Sequence, residues 1–93
     1  MANYSVPQYR LVFHRLDGSS FLLAGKTAQI MQMLIVRPHG LTPFDTWPLT
    51  TRLGSAIYQL RHRHNIAIVT EMEGHKGGLH ARDRLMTSLR AGG

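Results

Sequence analysis

Two prolines, Pro43 and Pro48, fix the middle of this chain. Pro43 follows Thr42 and precedes Phe44-Asp45, a dense helix-start signature. Thr42 caps, Pro43 takes the first helical position, and Asp45 reaches back to the cap while favouring the positive end of the helix dipole. Pro48 has no N–H and clashes with the preceding turn, so this helix is held to one or two turns. The chain restarts at 49–51, with Thr50 or Thr51 as cap. Segment 52–64 holds no proline, and Leu53, Ala56, Ile57 and Leu60 recur along one helical face. A short capped helix, a tight turn and a longer helix form a helix-turn-helix unit, with Phe44 and Trp47 expected to supply the short helix's packing.

The flanks extend this unit in both directions. Thr27 reads as the N-cap of a first helix over 28–37, with Ile30, Met33 and Leu34 on one face and Met31 and Ile35 widening it. Pro38 and Gly40 end it. Further upstream, 9–16 alternates apolar and polar, Asp17-Gly18 follows, and then Phe21-Leu22-Leu23: a hairpin over 9–24 whose loop Ser19-Ser20 lengthens. Downstream, Asn65 tolerates the left-handed conformation that stops a helix. Strands over 66–73 and 79–86 then flank 74–78, a glycine-rich loop carrying His75 and Lys76. The expected fold class is α+β, a winged helix-turn-helix: three helices with a C-terminal β-hairpin wing and an N-terminal β-hairpin. Residues 1–93 read as one domain, with 1–8 a loose leader, 27–64 the helical part, 66–86 the wing and 87–93 a frayed tail.

Charge directs attention to polyanions. The formal net charge is +6, and the cations are mostly arginine, whose fork suits phosphates and guanine edges. Opposite the buried stripe of the longer helix lie Thr51, Ser55, Tyr58 and His62, flanked by Arg52, Gln59, Gly54 and Arg61. An ordinary solvated face mixes acids with bases, yet 46–70 contains no Asp or Glu. The candidate DNA-binding residues are therefore Thr50, Thr51, Arg52, Ser55, Tyr58, Gln59, Arg61 and His62 on the helix. His75 and Lys76 join them at the wing tip, and Arg82 and Arg84 on its second strand. Asp83 is the odd member of that strand, expected to pair with Arg52 or Arg84 or to cap an amide.

Residues 41–85 resemble the short winged helix-turn-helix proteins common in bacterial and phage genomes. The resemblance rests on GLTPFDTW, TRLGSAIYQLRHRHNIAI and GGLHARDRL. Leu41, Thr42 and Pro43 match the family's helix start. Arg52, Leu53, Ile57, Leu60 and Arg61 match its second helix, and Arg82, Arg84 and Leu85 its wing end. Asp83 stands where an aromatic residue is usual. The resemblance implies a regulator or accessory DNA-binding factor, often prophage-borne, and it leaves the N-terminal hairpin unmatched.

Other classes find little support. Without cysteine there is no disulfide or thiolate metal site, which fits a reducing cytoplasm: the nucleoid, or a host's cytoplasm for a phage protein. No apolar run approaches the roughly 18–20 residues of a membrane span, and no signal-peptide pattern opens the chain. His62 and His64 point in different directions on a helix, so no metal site is expected, nor any cofactor or small-molecule ligand. No hydrolase or phosphate-loop motif occurs, so an enzyme is not expected. The leading expectation is sequence-specific binding of double-stranded DNA, as a dimer or in arrays. The alternative is a protein-interaction module docking a polymerase or phage partner through Tyr9, Phe13 and Phe21. RNA binding is weaker, because the aromatics form no stacking platform.

Overall fold

The computed structural model describes residues 9–92, so the leader expected over 1–8 lies outside the described residues. The order of elements is β1 (Arg10–Arg15), β2 (Ser20–Ala24), α1 (Gly25–Val36), α2 (Pro43–Thr46), α3 (Leu53–Arg63), β3 (Ile68–His75), β4 (Gly78–Leu85) and β5 (Leu89–Ala91). They form an antiparallel sheet in the order β2-β1-β5 and a two-stranded hairpin β3-β4. The three helices and two hairpins expected from the sequence are present.

The first hairpin turns at Asp17-Gly18 as its residues require. Gly18 has φ +90, and the Asp17 carboxylate accepts from the Ser19 amide at 2.8 Å and the Ser19 hydroxyl at 2.6 Å, a turn held by its own side chain. Phe13 pairs with Phe21 and Leu11 with Leu23 across the strands, so one face of the sheet is apolar and lies on the core.

The first helix starts earlier than Thr27. Ala24 is its N-cap, in extended conformation, and Gly25 at φ +63 turns the chain from strand into helix while its amide still donates to Tyr9 O at 2.6 Å. Thr27 therefore sits inside the first turn and caps nothing. Ala28, Ile30, Met31 and Leu34 are the buried residues of α1.

Within the stretch read as a frayed tail, Leu89–Ala91 form a strand. Leu89 and Ala91 alternate toward the core, and β5 pairs with β1 in the register Phe13↔Ala91 and Arg15↔Leu89. The Thr87 hydroxyl accepts from the Ala67 amide at 2.8 Å and fixes the approach. Three residues are too short a run for periodicity to reveal, and the waiting edge of β1 supplies what sequence pattern could not.

The core gathers Phe13 and Leu23 from the sheet, four residues of α1, Leu41, the apolar stripe of α3, and Ile66 and Ile68. Leu41 exchanges two backbone hydrogen bonds with Asp83, both 2.8 Å, and so adds a one-residue third strand beside β4. Gly40 precedes it at φ +91, and a Cβ there would lie 2.6 Å from Asp83 O. That close approach requires glycine.

Candidate nucleic-acid interface

The short helix α2 carries the predicted capping box in full. The Asp45 carboxylate accepts from the Thr42 amide at 2.8 Å and the Thr42 hydroxyl at 3.1 Å. The backbone bond from Thr42, with help from its hydroxyl and the Arg37 charge, holds the Asp45 carboxyl below its ordinary range against the opposing effect of burial. Phe44 and Trp47 do not supply its packing. They are 63% and 65% exposed, and the buried positions are Leu41, Thr42 and Thr46. A four-residue helix has one inward edge, and here Thr46 takes it. Phe44 instead packs edge-on against His75 and His80 of the wing, at 5.4 and 5.1 Å between ring centres.

The long helix α3 begins one residue later than expected, at Leu53, with Arg52 at the N-cap position and no side-chain cap. Neither threonine caps the helix: Thr50 accepts from the Arg52 amide at 2.9 Å, outside it. Asn65 has φ 57 and ends the helix as its residue type allows, and the Ile66 amide then returns to Leu60 O at 3.0 Å. Leu53, Ala56, Ile57 and Leu60 are buried, which leaves Thr51, Arg52, Ser55, Tyr58 and His62 exposed.

The candidate residues in and before α3 divide between two sides. Tyr58 and His62, one helical turn apart, pack with ring centres 4.2 Å apart and planes tilted by 40°, and form a ridge. Thr50, Arg52, Ser55 and Gln59 instead line a cleft of about 200 Å³ whose far wall is Lys26 and Thr27 of α1, over a floor of Ile30 and Ala56. Lys26 and Thr27 are absent from the sequence-derived candidates. A single lysine between a hairpin and a helix carries no local signal; only the packing of α1 on α3 brings it to this helix.

Arg61 is withdrawn from the exposed face. Its Nε and Nη2 donate to Ile68 O at 3.0 and 2.7 Å, and Nη2 also donates to the Thr70 hydroxyl at 2.6 Å. It ties α3 to the root of β3.

The wing is also drawn tighter than expected. His75 pairs with Gly78, so the strands run into 74–78 and leave a turn of Lys76 and Gly77 alone. Its arginines are partnered. Glu73 accepts from Arg82 Nε at 2.6 Å and contacts His80 at 3.0 Å, and Glu71 pairs with Arg84. Arg82 holds Glu73 below the ordinary carboxylate range, and Glu73 raises Arg82 in turn. At the tip His75 and His80 bring their Nδ1 atoms to 2.8 Å, so one ring donates to the other. With histidines neutral, Lys76, Arg82 and Arg84 balance Glu71, Glu73 and Asp83; the excess positive charge lies elsewhere. Asp83 pairs with neither Arg52 nor Arg84: it is 4% exposed and accepts from the Thr70 hydroxyl.

The two phenylalanines of the N-terminal hairpin face inward. Phe13 is fully buried, and Phe21 stacks on Phe13 at 5.7 Å and on His64 at 5.0 Å beneath the Arg15 guanidinium. Tyr9, half exposed, donates to Gln32 of α1. Of the three residues expected as a partner surface, Phe13 is core, Phe21 is partly buried against it, and Tyr9 is exposed. No group of three or more metal-ligating residues occurs among the described residues, and no described helix is long and apolar enough to cross a membrane.

A helix-turn-helix followed by a two-stranded wing defines the class: a winged helix fold, in general a DNA-binding one. Residues 20–92 match the family model described as a winged helix domain, and the chain belongs to that family. The match reaches past the 41–85 stretch that carries the motifs and takes in β2, α1 and β5. No curated protein and no solved structure matches the chain.

Proposed function

We propose that this protein binds double-stranded DNA sequence-specifically, as a transcriptional regulator or a prophage accessory factor, with α3 in the major groove and the wing beside it. One observation carries the reading. All five acidic side chains are engaged away from the exposed face of α3: Asp17 with Ser19, Asp45 with Thr42 and Arg37, Glu71 and Glu73 with wing cations, and Asp83 with Thr70. The face left uncovered presents Thr51, Arg52, Ser55, Tyr58 and His62 with no carboxylate among them. A helix that repels no phosphate and offers hydroxyl, amide and aromatic groups is suited to base edges. One small helix rarely buries enough surface for tight selectivity, so a dimer or an array is the working form.

Selection of bound sequences from a random duplex pool tests this directly. An enriched motif is expected, with two-fold symmetry if the protein acts as a dimer. Absence of duplex binding at about 50 mM salt, where counterion release still favours association, removes the proposal.

A further inference from the structure

We infer that the cleft between α1 and α3 is a seat for one phosphodiester group of the DNA backbone, clamped between Lys26 and Arg52. The inference rests on the DNA-binding reading and divides the exposed residues of α3 into two roles.

The cleft is concave, about 200 Å³, and lined by Lys26, Thr27, Thr50, Arg52, Ser55 and Gln59. Two of these are cations from elements 26 residues apart in sequence, and the others offer hydroxyl or amide donors. No acid lines it. Neither Lys26 nor Arg52 has an acidic partner among the described residues, whereas Arg37, Arg82 and Arg84 all do. Two unpaired cations across one cleft repel each other, and folding tolerates this only at a wet surface. A tetrahedral anion between them removes the repulsion and meets the hydroxyls as well. α1 and α3 also carry no acid in their first turns, so nothing in either helix competes for the position.

The neighbouring ridge differs in chemistry. Tyr58 and His62 are aromatic rings packed on each other at a tilt, and they lie outside the cleft. Arg52, Ser55 and Gln59 thus hold the backbone and set the register of α3, while Thr51, Tyr58 and His62 face the bases. The wing, formally neutral and with its arginines paired, is a minor electrostatic anchor. The cleft is the major one.

The test compares Lys26→Ala, Arg52→Ala and Tyr58→Ala with the unaltered protein on selected and random duplexes across a salt series. Lys26 is exposed, so its loss leaves the fold intact. Lys26→Ala and Arg52→Ala are each expected to reduce the slope of log affinity against log salt by about 0.9, weakening both duplexes equally. Tyr58→Ala is expected to leave the slope and lose discrimination. An unchanged slope in Lys26→Ala, with the unaltered protein binding DNA normally, overturns the cleft and leaves the DNA-binding reading standing. A loss confined to the selected duplex in Arg52→Ala overturns the division of roles. Titration with inorganic phosphate, followed by amide NMR, separates the sources. Shifts at Lys26, Thr27, Ser55 and Gln59 that vanish in Lys26→Ala support the seat even if no duplex binds. No shift and no duplex binding overturn it together with the reading it rests on.

Discussion

The Thr70 hydroxyl donates to the buried carboxylate of Asp83 while accepting from Arg61, so one side chain of β3 joins the wing to α3. Asp83 also exchanges both backbone hydrogen bonds with Leu41. The long helix, the wing and the turn before α2 therefore meet at this residue. The position that departs from the usual wing pattern is the one that fixes the wing's angle.

Replacing Asp83 by alanine removes the acceptor of the Thr70 hydroxyl and leaves Arg61 its bonds to Ile68 O and Thr70. The expected cost is about 1–3 kcal/mol, the range for a polar group stranded by loss of its partner. In a domain of this size each kcal/mol lowers Tm by roughly 4–8 °C. Thr70→Val is expected to cost more, because it strands the buried Asp83 carboxylate, whereas the exposed Thr70 hydroxyl left by Asp83→Ala can turn to water. Chemical denaturation of both variants checks the order, and equal costs would count against the network.

Gly40→Ala tests the closest backbone approach in the fold. The new Cβ would stand 2.6 Å from Asp83 O and from Arg84 Cγ, at a φ of +91 that alanine disfavours. Arg84 can swing aside, but the carbonyl is fixed by its bond from Leu41. A loss of about 2 kcal/mol or more is expected. Gly54→Ala provides the contrast, since nothing lies within 4 Å of a Cβ there. It should stabilise α3 by up to about 1 kcal/mol.

Stability is expected to fall between neutral and mildly acidic pH through His64. Burial, followed by the charges of Arg15 and Arg63, holds its pKa below the ordinary 6.5. The folded state thus binds fewer protons than the unfolded chain in this window. Stability is complete above the unfolded value and is lost as pH falls toward the folded one. Thermal melts from about pH 7.5 to about pH 5.5 should show a falling Tm, and His64→Gln should flatten that fall. Parallel curves for the two proteins would assign the titration elsewhere.

What the sequence makes legible is what short-range chemistry decides. Thr42, Pro43 and Asp45 specify α2 because cap, first position and third position lie within one turn. Leu53, Ala56, Ile57 and Leu60 specify α3 by their spacing, and Asn65 ends it. The misreadings are non-local. Phe44 and Trp47 look like core by residue type, yet a four-residue helix offers them no inward position. Arg61 looks like a ligand-binding cation until Ile68 O, seven residues on, takes it. The pairing of Arg82 with Glu73 and Arg84 with Glu71 depends on diagonal strand register, which no count of charges contains. Lys26 gains meaning only when α1 settles on α3.

That cross-strand pairing leads to a gain-of-affinity prediction. In the double variant Glu71→Gln with Glu73→Gln, Arg82 and Arg84 lose their partners at little cost to stability, since exposed ion pairs contribute little. The wing then carries a net positive charge. Affinity for every duplex should rise, and the salt slope should steepen by up to about 0.9 for each arginine that reaches a phosphate. An unchanged slope would place the wing's charged face away from the duplex.

Specificity should reside in the ridge of α3. Tyr58 is 63% exposed and is held by its contact with His62, so its ring meets a partner already ordered. Removing it with Tyr58→Ala should cost about 1–3 kcal/mol on the selected duplex, the range for a good base contact, and little on random DNA. His62→Ala should cost less than that, since it takes away the support and leaves the reader. Tyr58→Phe separates the two ways the ring can act. If the hydroxyl bonds a base edge, the phenylalanine variant loses nearly as much discrimination as alanine. If the ring packs on a thymine methyl, the variant keeps it. Equal losses on selected and random DNA in all three variants would move base reading off this ridge.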